Sequence, residues 1–349
     1  MLSVGIVGLP NVGKSTLFKA LTKNPVDISN YPFCTIDPNV GIVAVHDPRL
    51  KKLTRLSKSR KTIPAVIEFI DIAGLVPGAH KGEGLGNQFL SHIRKVDLIC
   101  HVVRQFQSQN IKHIEDRVNP REDIDLINTE LILADLQTLE KRIPKTQKIA
   151  RGNDKQAQTA LEALKKIKKT LDQNQPAAKT KLTKEEKQAV ADLPLITQKP
   201  VLYIFNVADS NNHPDLKKLS TAHPSHLKIN LKQEAELLDI SPAQKKQLDL
   251  KSRIHLVAKK AYKILNLITF FTTGEKETRA WTIKKGEKAP QAGAKIHNDF
   301  CQKFIKAQIV SYPDFVRSGS YNNASAKGLL RTQGKDYTVC DGDIIIFKI

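Results

Sequence analysis

Apolar positions follow two different rhythms along the 349 residues. Short, largely apolar stretches at 2–7, 40–45, 64–70, 97–103, 200–205 and 227–231 read as strands, those at 2–7 and 97–103 as buried ones. Leu17, Phe18, Ala20 and Leu21 follow the first run at helical spacing. From about 123 to 198 the chain turns polar, lysine-rich and helical. Ile132, Leu136, Leu139 and Ile143 recur at spacings of 4, 3 and 4, and Ala157, Ala160, Leu164, Ile167 and Leu171 at 3, 4, 3 and 4. These are two narrow heptad seams. Arg151, Gly152, Asn153 and Asp154 lie between them as a turn, so the pattern predicts an antiparallel helical hairpin. Strand character returns at 200, which makes the hairpin an insertion into one α/β domain. Beyond it the pattern predicts a long helix over 242–267 and strands at 268–273, 279–283, 307–311 and 343–347. An amphipathic helix carrying Ile296, Phe300, Phe304 and Ile305 completes a small α+β module of β-grasp size.

The loop between the first strand and helix reads Gly8-Leu9-Pro10-Asn11-Val12-Gly13-Lys14-Ser15-Thr16 and matches G-x-x-x-x-G-K-[ST]. Strand, glycine loop and helix together define a P-loop. Gly8 and Gly13 let the backbone N–H groups wrap a phosphate, from Asn11 through Thr16. Lys14 supplies a point charge to the β- and γ-phosphates, and the Ser15 hydroxyl is the expected Mg²⁺ ligand. Asn11 stands where some P-loop GTPases use an asparagine to recruit K⁺.

Further positions complete the expected site. Thr35, in the proline-bearing loop after the first helix, is the candidate to reach Mg²⁺ and the γ-phosphate. Asp71 ends an apolar strand in Asp71-Ile72-Ala73-Gly74, a Walker B position for Mg²⁺, and the Gly74 N–H then faces the γ-phosphate. The glycine-rich stretch 75–86 reads as a switch loop. Leu75 stands where Ras-type GTPases carry a water-orienting glutamine, and it cannot hydrogen-bond water. Hydrolysis is therefore expected to be slow, to use another group, or to need a partner, with His80 and His113 as candidate groups. The strand at 200–205 ends in Asn206-Val207-Ala208-Asp209, where GTPases carry Asn-Lys-x-Asp. Val207 removes the lysine that packs along guanine. Asn206 suits the adenine amino group and N7, and Asp209 remains a guanine reader.

Charge adds a partner class. A formal net charge of +21 points to a polyanion such as nucleic acid or a ribonucleoprotein surface, or to a generally basic proteome. Lys165, Lys166, Lys168 and Lys169 fall on the outer face of the hairpin, as a solvated face or as an arm for RNA. Cys34, Cys100, Cys301 and Cys340 show no C-x-x-C spacing, so neither a metal site nor a disulfide framework is indicated and a reducing cytoplasm fits. No signal peptide and no membrane span are expected.

Taken together, these residues resemble the Obg-like ATPase (YchF) subfamily of translation-factor-related P-loop GTPases. The likeness rests on the P-loop, on Asn30-Tyr31-Pro32-Phe33-Cys34-Thr35, and on the run 71–86 with Leu75. It extends to Val118-Asn119-Pro120, the helical insertion, Arg279-Ala280-Trp281-Thr282-Ile283, and Gly334-Lys335-Asp336-Tyr337 leading to Asp341-Gly342-Asp343. It implies a P-loop GTPase-type domain over 1–122 and 200–275, a helical coiled-coil insertion over 123–199 and a TGS domain over 276–349. It implies Mg²⁺-dependent ATP hydrolysis, with ATP at least as good a substrate as GTP, in a cytoplasmic monomer. The implied partners are the ribosome, as its large subunit or the whole particle, and its RNA, with no membrane. The family's loop histidine matches His113, which with Lys14 becomes the catalytic pair. Two positions depart from the family: Asp209 stands for the usual glutamate, and Asn230-Leu231-Lys232 for a small residue followed by alanine. Three readings stand: a slow ribosome-cycling ATPase, a GTPase of ribosome assembly, and a non-catalytic nucleotide-gated RNA-binding protein.

Overall fold

A computed structural model describes residues 2–23, 31, 37–72, 85–106, 118–152, 154–208, 219 and 221–349. Cys34, Thr35, Gly74, Leu75, His80, His113, Asn153 and Asp209 lie outside the described residues.

The first sheet is built from β1 (Ser3–Val7), β2 (Val40–Ala44), β4 (Val66–Asp71), β5 (Leu98–Arg104), β6 (Val201–Asn206) and β7 (His226–Ile229), with β3 (Lys61–Ile63) left out of it. Its order is β2-β4-β1-β5-β6-β7. Only β2 runs antiparallel to its neighbour. Helices α1 (Lys14–Thr22), α2 (Pro48–Leu56) and α3 (Leu85–Lys95) belong to this domain. Every residue of β1 is buried, because a parallel strand is covered on both faces. That is why the run reads as unbroken rather than alternating. Parallel strands bring their carboxyl ends to one edge, so Gly8, Asp71 and Asn206 meet there.

The insertion opens with α4 (Pro120–Ala150), where Pro120 fills the first turn and the Asn119 side chain accepts from Glu122 N. It turns back through α5 (Lys155–Asp172), whose cap Asp154 accepts from Gln156 N and Ala157 N. Ile132, Leu139, Leu164, Ile167 and Leu171 form its core, with Leu136, Ile143 and Ala160 packed around them. A third layer completes this core: Val190, Leu193 and Leu195 follow α6 (Lys184–Ala189) and cover the seam. The buried Asp135 carboxylate ties the return, accepting from Ile196 N at 2.9 Å, Thr197 N at 2.8 Å and Thr197 Oγ1 at 2.7 Å.

After β7 come α7 (Leu231–Glu236), α8 (Pro242–Gln247) and α9 (His255–Ile264). The long helix expected over 242–267 is thus broken. Asp249 takes a left-handed φ of +46°. Glu234 of α7 accepts from Ser252 Oγ and Arg253 N, both at 2.6 Å, which pins the break.

The second sheet is ordered β11-β10-β12-β8-β9-β3, using β8 (Leu267–Thr273), β9 (Glu277–Lys284), β10 (Lys306–Ser311), β11 (Arg331–Gln333) and β12 (Asp343–Lys348). The boundary expected at 275 cuts through the β8–β9 hairpin. The sheet starts at Leu267, since β8 pairs with β9 over its whole length and touches β12. Its far edge is β3, contributed by the first domain and parallel to β9. The expected helix through Phe304 is replaced by two short helices, Ala289–Ala294 and Asn298–Gln302. Phe304 is buried just past them and Ile305 is exposed. The two domains are fastened at Arg49, which donates to Asp47 and Asp341 and lies 5.2 Å from the Phe271 ring centroid.

Candidate nucleotide-binding site

The loop from Gly8 to Gly13 depends on its two glycines. A Cβ on Gly8 would lie 2.5 Å from the Val102 carbonyl oxygen of β5. Gly13 has a φ of +106°, and a Cβ there would lie 2.7 Å from Asn206 Nδ2. Asn11 also takes a left-handed φ, of +62°. Leu9 and Val12 are buried, so the loop offers backbone rather than side chains at these two positions. Gly13 caps α1 without a side-chain hydrogen bond. The first-turn amides of α1, from Lys14 through Thr16, therefore make the positive end of that helix.

Three charged or polar side chains converge beside the loop. Lys14 Nζ donates to the Leu9 carbonyl at 2.8 Å. The Ser15 hydroxyl lies near the Asp71 carboxylate and favours its ionised form. Burial pushes the Asp71 carboxyl above the usual carboxylate range, opposed by Ser15 and Lys14. Burial likewise pulls Lys14 below its ordinary value, opposed by Asp71. The attraction between Lys14 and Asp71 and the nearby Ser15 hydroxyl offset part of the cost of burial. A hydroxyl and a carboxylate side by side are the hard oxygen donors that suit Mg²⁺. Among the described residues, no cluster of three or more His, Cys, Asp or Glu could hold a metal alone, so phosphate oxygens and water would supply the other ligands.

At the base end Asn206 is buried, with its amide committed to the backbone. Nδ2 donates to the Val12 carbonyl at 3.0 Å, and Oδ1 accepts from Leu231 N at 3.1 Å. Asn206 therefore clamps the phosphate loop to the start of α7 rather than presenting its amide to a base edge. Val207 is buried and its N donates to the Ile229 carbonyl at 3.1 Å. Asn230 caps α7 through Gln233 N at 3.0 Å and donates to the Ala208 carbonyl.

The structure brings Asn11, Val12, Gly13, Lys14, Ser15, Thr16, Asp71, Asn206 and Val207 to one edge of the sheet. Thr35, Gly74, His113 and Asp209 are outside the described residues. Sequence reasoning missed the Asn230 cap, although Asn230 and Gln233 stand at capping spacing. It also missed His101, which lies opposite Val7 on β5, 5.4 Å from the Tyr203 ring. Burial, then His223 and Lys14, push His101 down to about 3, so the ring is neutral. A cavity of about 570 Å³ lies at the opposite end of the sheet, lined by Asn128, Tyr203 and His223 and by none of the phosphate-loop residues.

Two family models match the chain. One, described as 50S ribosome-binding GTPase, covers residues 3–134, and YchF-GTPase_C, described as a protein of unknown function, covers 267–349. The ribosome-binding ATPase YchF of Bacillus subtilis is 47% identical over 99% of this chain and 99% of its own length. That of Escherichia coli is 46% identical over 98% of both. The chain belongs to the YchF family. The solved structure of the Schizosaccharomyces pombe YchF GTPase superposes with a TM-score of 0.88 at 37% identity, covering 99% of this chain and 97% of that one. The YchF C-terminal model begins at Leu267, the residue at which β8 opens the second sheet. The GTPase model contains the phosphate loop and Asp71 but not Asn206.

Proposed function

We propose that this YchF-family protein is a ribosome-associated ATPase that binds ATP with Mg²⁺ and hydrolyses it slowly, as a nucleotide-dependent switch in translation or its regulation under stress. One observation carries the reading: Ser15 and Asp71 come together beside Lys14, at the mouth of a glycine-built loop and a helix N-terminus. This is an arrangement for a phosphate chain and a divalent cation.

The backbone N–H groups of Asn11 through Thr16 hold the phosphates. Lys14 leaves the Leu9 carbonyl to neutralise the β- and γ-phosphates. Ser15, Asp71 and Thr35 would hold Mg²⁺, which when bound offsets charge on the β- and γ-oxygens. Gly74 N–H faces the γ-phosphate. Water attacks the γ-phosphorus and the bond to the β–γ bridging oxygen breaks, releasing phosphate and ADP. Leu75 offers the water no hydrogen bond, so His113 orients it and turnover is slow. Asp209 favours a second reading, in which GTP is also accepted, because a carboxylate there suits the guanine edge.

The partner surface is the outer hairpin. Residues 141–187 contain 14 Lys or Arg against 5 Asp or Glu, whereas 120–140 contain one against six. Basic charge is thus concentrated away from the nucleotide domain, and Lys165 and Lys169 are exposed. Such an arm suits ribosomal RNA. The protein acts in the cytoplasm as a monomer. Among the described residues no helix is long and apolar enough to cross a membrane.

Equilibrium titration with ATP and with GTP, each with Mg²⁺, tests the base preference. The expected result is ATP at least as tight as GTP. GTP binding more than about tenfold tighter, or roughly 1.4 kcal/mol, overturns the ATPase reading.

A further inference from the structure

Arg279 stands on β9 directly opposite Ile63 of β3, at the point where the second sheet takes in a strand of the first domain. Its guanidinium carbon lies 4.0 Å from the centroid of a Trp281 ring and 5.6 Å from that of Tyr31. Trp281 belongs to the second domain and donates through Nε1 to Thr272 Oγ1 at 2.9 Å. Tyr31 belongs to the first domain. It is 8% exposed, and its hydroxyl donates to the Pro64 carbonyl at 2.8 Å. Its ring packs with Ile42, Ile63 and Val66. Arg279 is therefore a cation between two aromatic rings, one from each domain.

The position of Tyr31 gives this contact a consequence. Val66 opens β4, and β4 ends in Asp71, which meets Ser15. Tyr31 thus packs on the strand that delivers an expected metal ligand. We propose that Arg279 is a positioning residue for the nucleotide site. By seating Tyr31 it sets β4, and it links Mg²⁺-nucleotide occupancy to Trp281 in the second domain. This rests on the reading above that Asp71 holds the metal.

Trp281 is the only tryptophan in the chain, so its emission reports on this contact without a label. The experiment measures ATP binding by calorimetry with Mg²⁺ and with EDTA, and Trp281 emission in the same solutions. In the full-length wild type, saturating Mg²⁺–ATP shifts the emission. In Arg279→Ala the emission no longer responds, and the ratio of Mg²⁺-free to Mg²⁺-bound dissociation constants falls by about three- to tenfold. Mg²⁺-free binding is unchanged. Tyr31→Leu gives the same pair of changes from the other side of the contact, and Arg279→Lys restores most of the ratio. A merely structural role would weaken both dissociation constants together, and that result overturns the proposal. So does an unchanged ratio, or Mg²⁺–ATP binding in the wild type with silent Trp281 emission. Absence of any ATP binding in calorimetry overturns the proposed function itself and this inference with it.

Discussion

Asn206 Nδ2 donates to the Val12 carbonyl at 3.0 Å, and through this bond the end of β6 holds the phosphate loop. The opposite edge of the same amide takes Leu231 N. Truncation strands a buried carbonyl and a buried N–H at once. Each such loss costs about 1–3 kcal/mol. Asn206→Ala is therefore expected to weaken ATP binding by about tenfold or more, measured by calorimetry. Asn206→Asp keeps the acceptor for Leu231 but sets a carboxylate against the Val12 carbonyl. It is expected to be at least as damaging, and wild-type affinity in that variant would contradict the clamp.

Asp71 gives the site a pH dependence. Its carboxyl sits above the ordinary range because of burial, and the ionised form is the one that takes a cation. Mg²⁺-dependent ATP affinity should therefore decline as pH falls through that raised value, while affinity in EDTA stays nearly flat. Ser15→Ala removes an expected metal ligand and a contact that favours the ionised form, so the Mg²⁺ enhancement should shrink and its decline should move to higher pH. Asp71→Asn should abolish the Mg²⁺ enhancement at every pH. Titrations from pH 8 downward, with and without Mg²⁺, read all three.

His101 marks the same domain with a stability signature. Its folded value of about 3 lies below the ordinary histidine value of 6.5. The unfolded chain therefore binds a proton between these limits and the native state does not. Native stability should fall as pH drops from 6.5 toward 3, by about 1 kcal/mol per pH unit from this residue. His101→Phe should flatten that part of the curve, measured as the urea midpoint against pH. An identical slope in the variant would contradict the neutral ring.

Charge reversal on the hairpin should act on the partner only. Lys165→Glu with Lys169→Glu leaves the hydrophobic seam intact, since both side chains are exposed. Ribosome co-sedimentation should weaken, and the dependence of binding on log salt should become shallower by about two to four units for the four-charge change. ATP affinity should not change. A salt slope equal to wild type would assign the basic charge to background.

Much of this architecture was legible because burial leaves simple marks. The strand at Ser3–Val7 is covered on both faces, and its unbroken apolar run says so. The hairpin seams are legible because Leu164, Ile167 and Leu171 point into one core. What escaped depends on partners distant in the chain. The break after Gln247 is held by Glu234 gripping Ser252 and Arg253, a tertiary contact that leaves the local apolar spacing undisturbed. β3 is only three residues long, and its partner β9 lies more than two hundred positions away. Asn206 carries an amide suited to a base edge, yet the group it meets is the Val12 carbonyl. A backbone carbonyl has no letter in a sequence.

Phosphate release from ATP, compared between wild type and Lys14→Ala in saturating Mg²⁺, reads whether this loop hydrolyses the nucleotide. Lys14 stands beside Asp71 and Ser15 and carries the only cationic side chain of the phosphate loop 8–16. The expected result is slow, Mg²⁺-dependent release by the wild type and a loss of at least about a hundredfold, or roughly 3 kcal/mol, in Lys14→Ala. Equal rates in the two proteins would place the hydrolysis outside this loop and contradict the account.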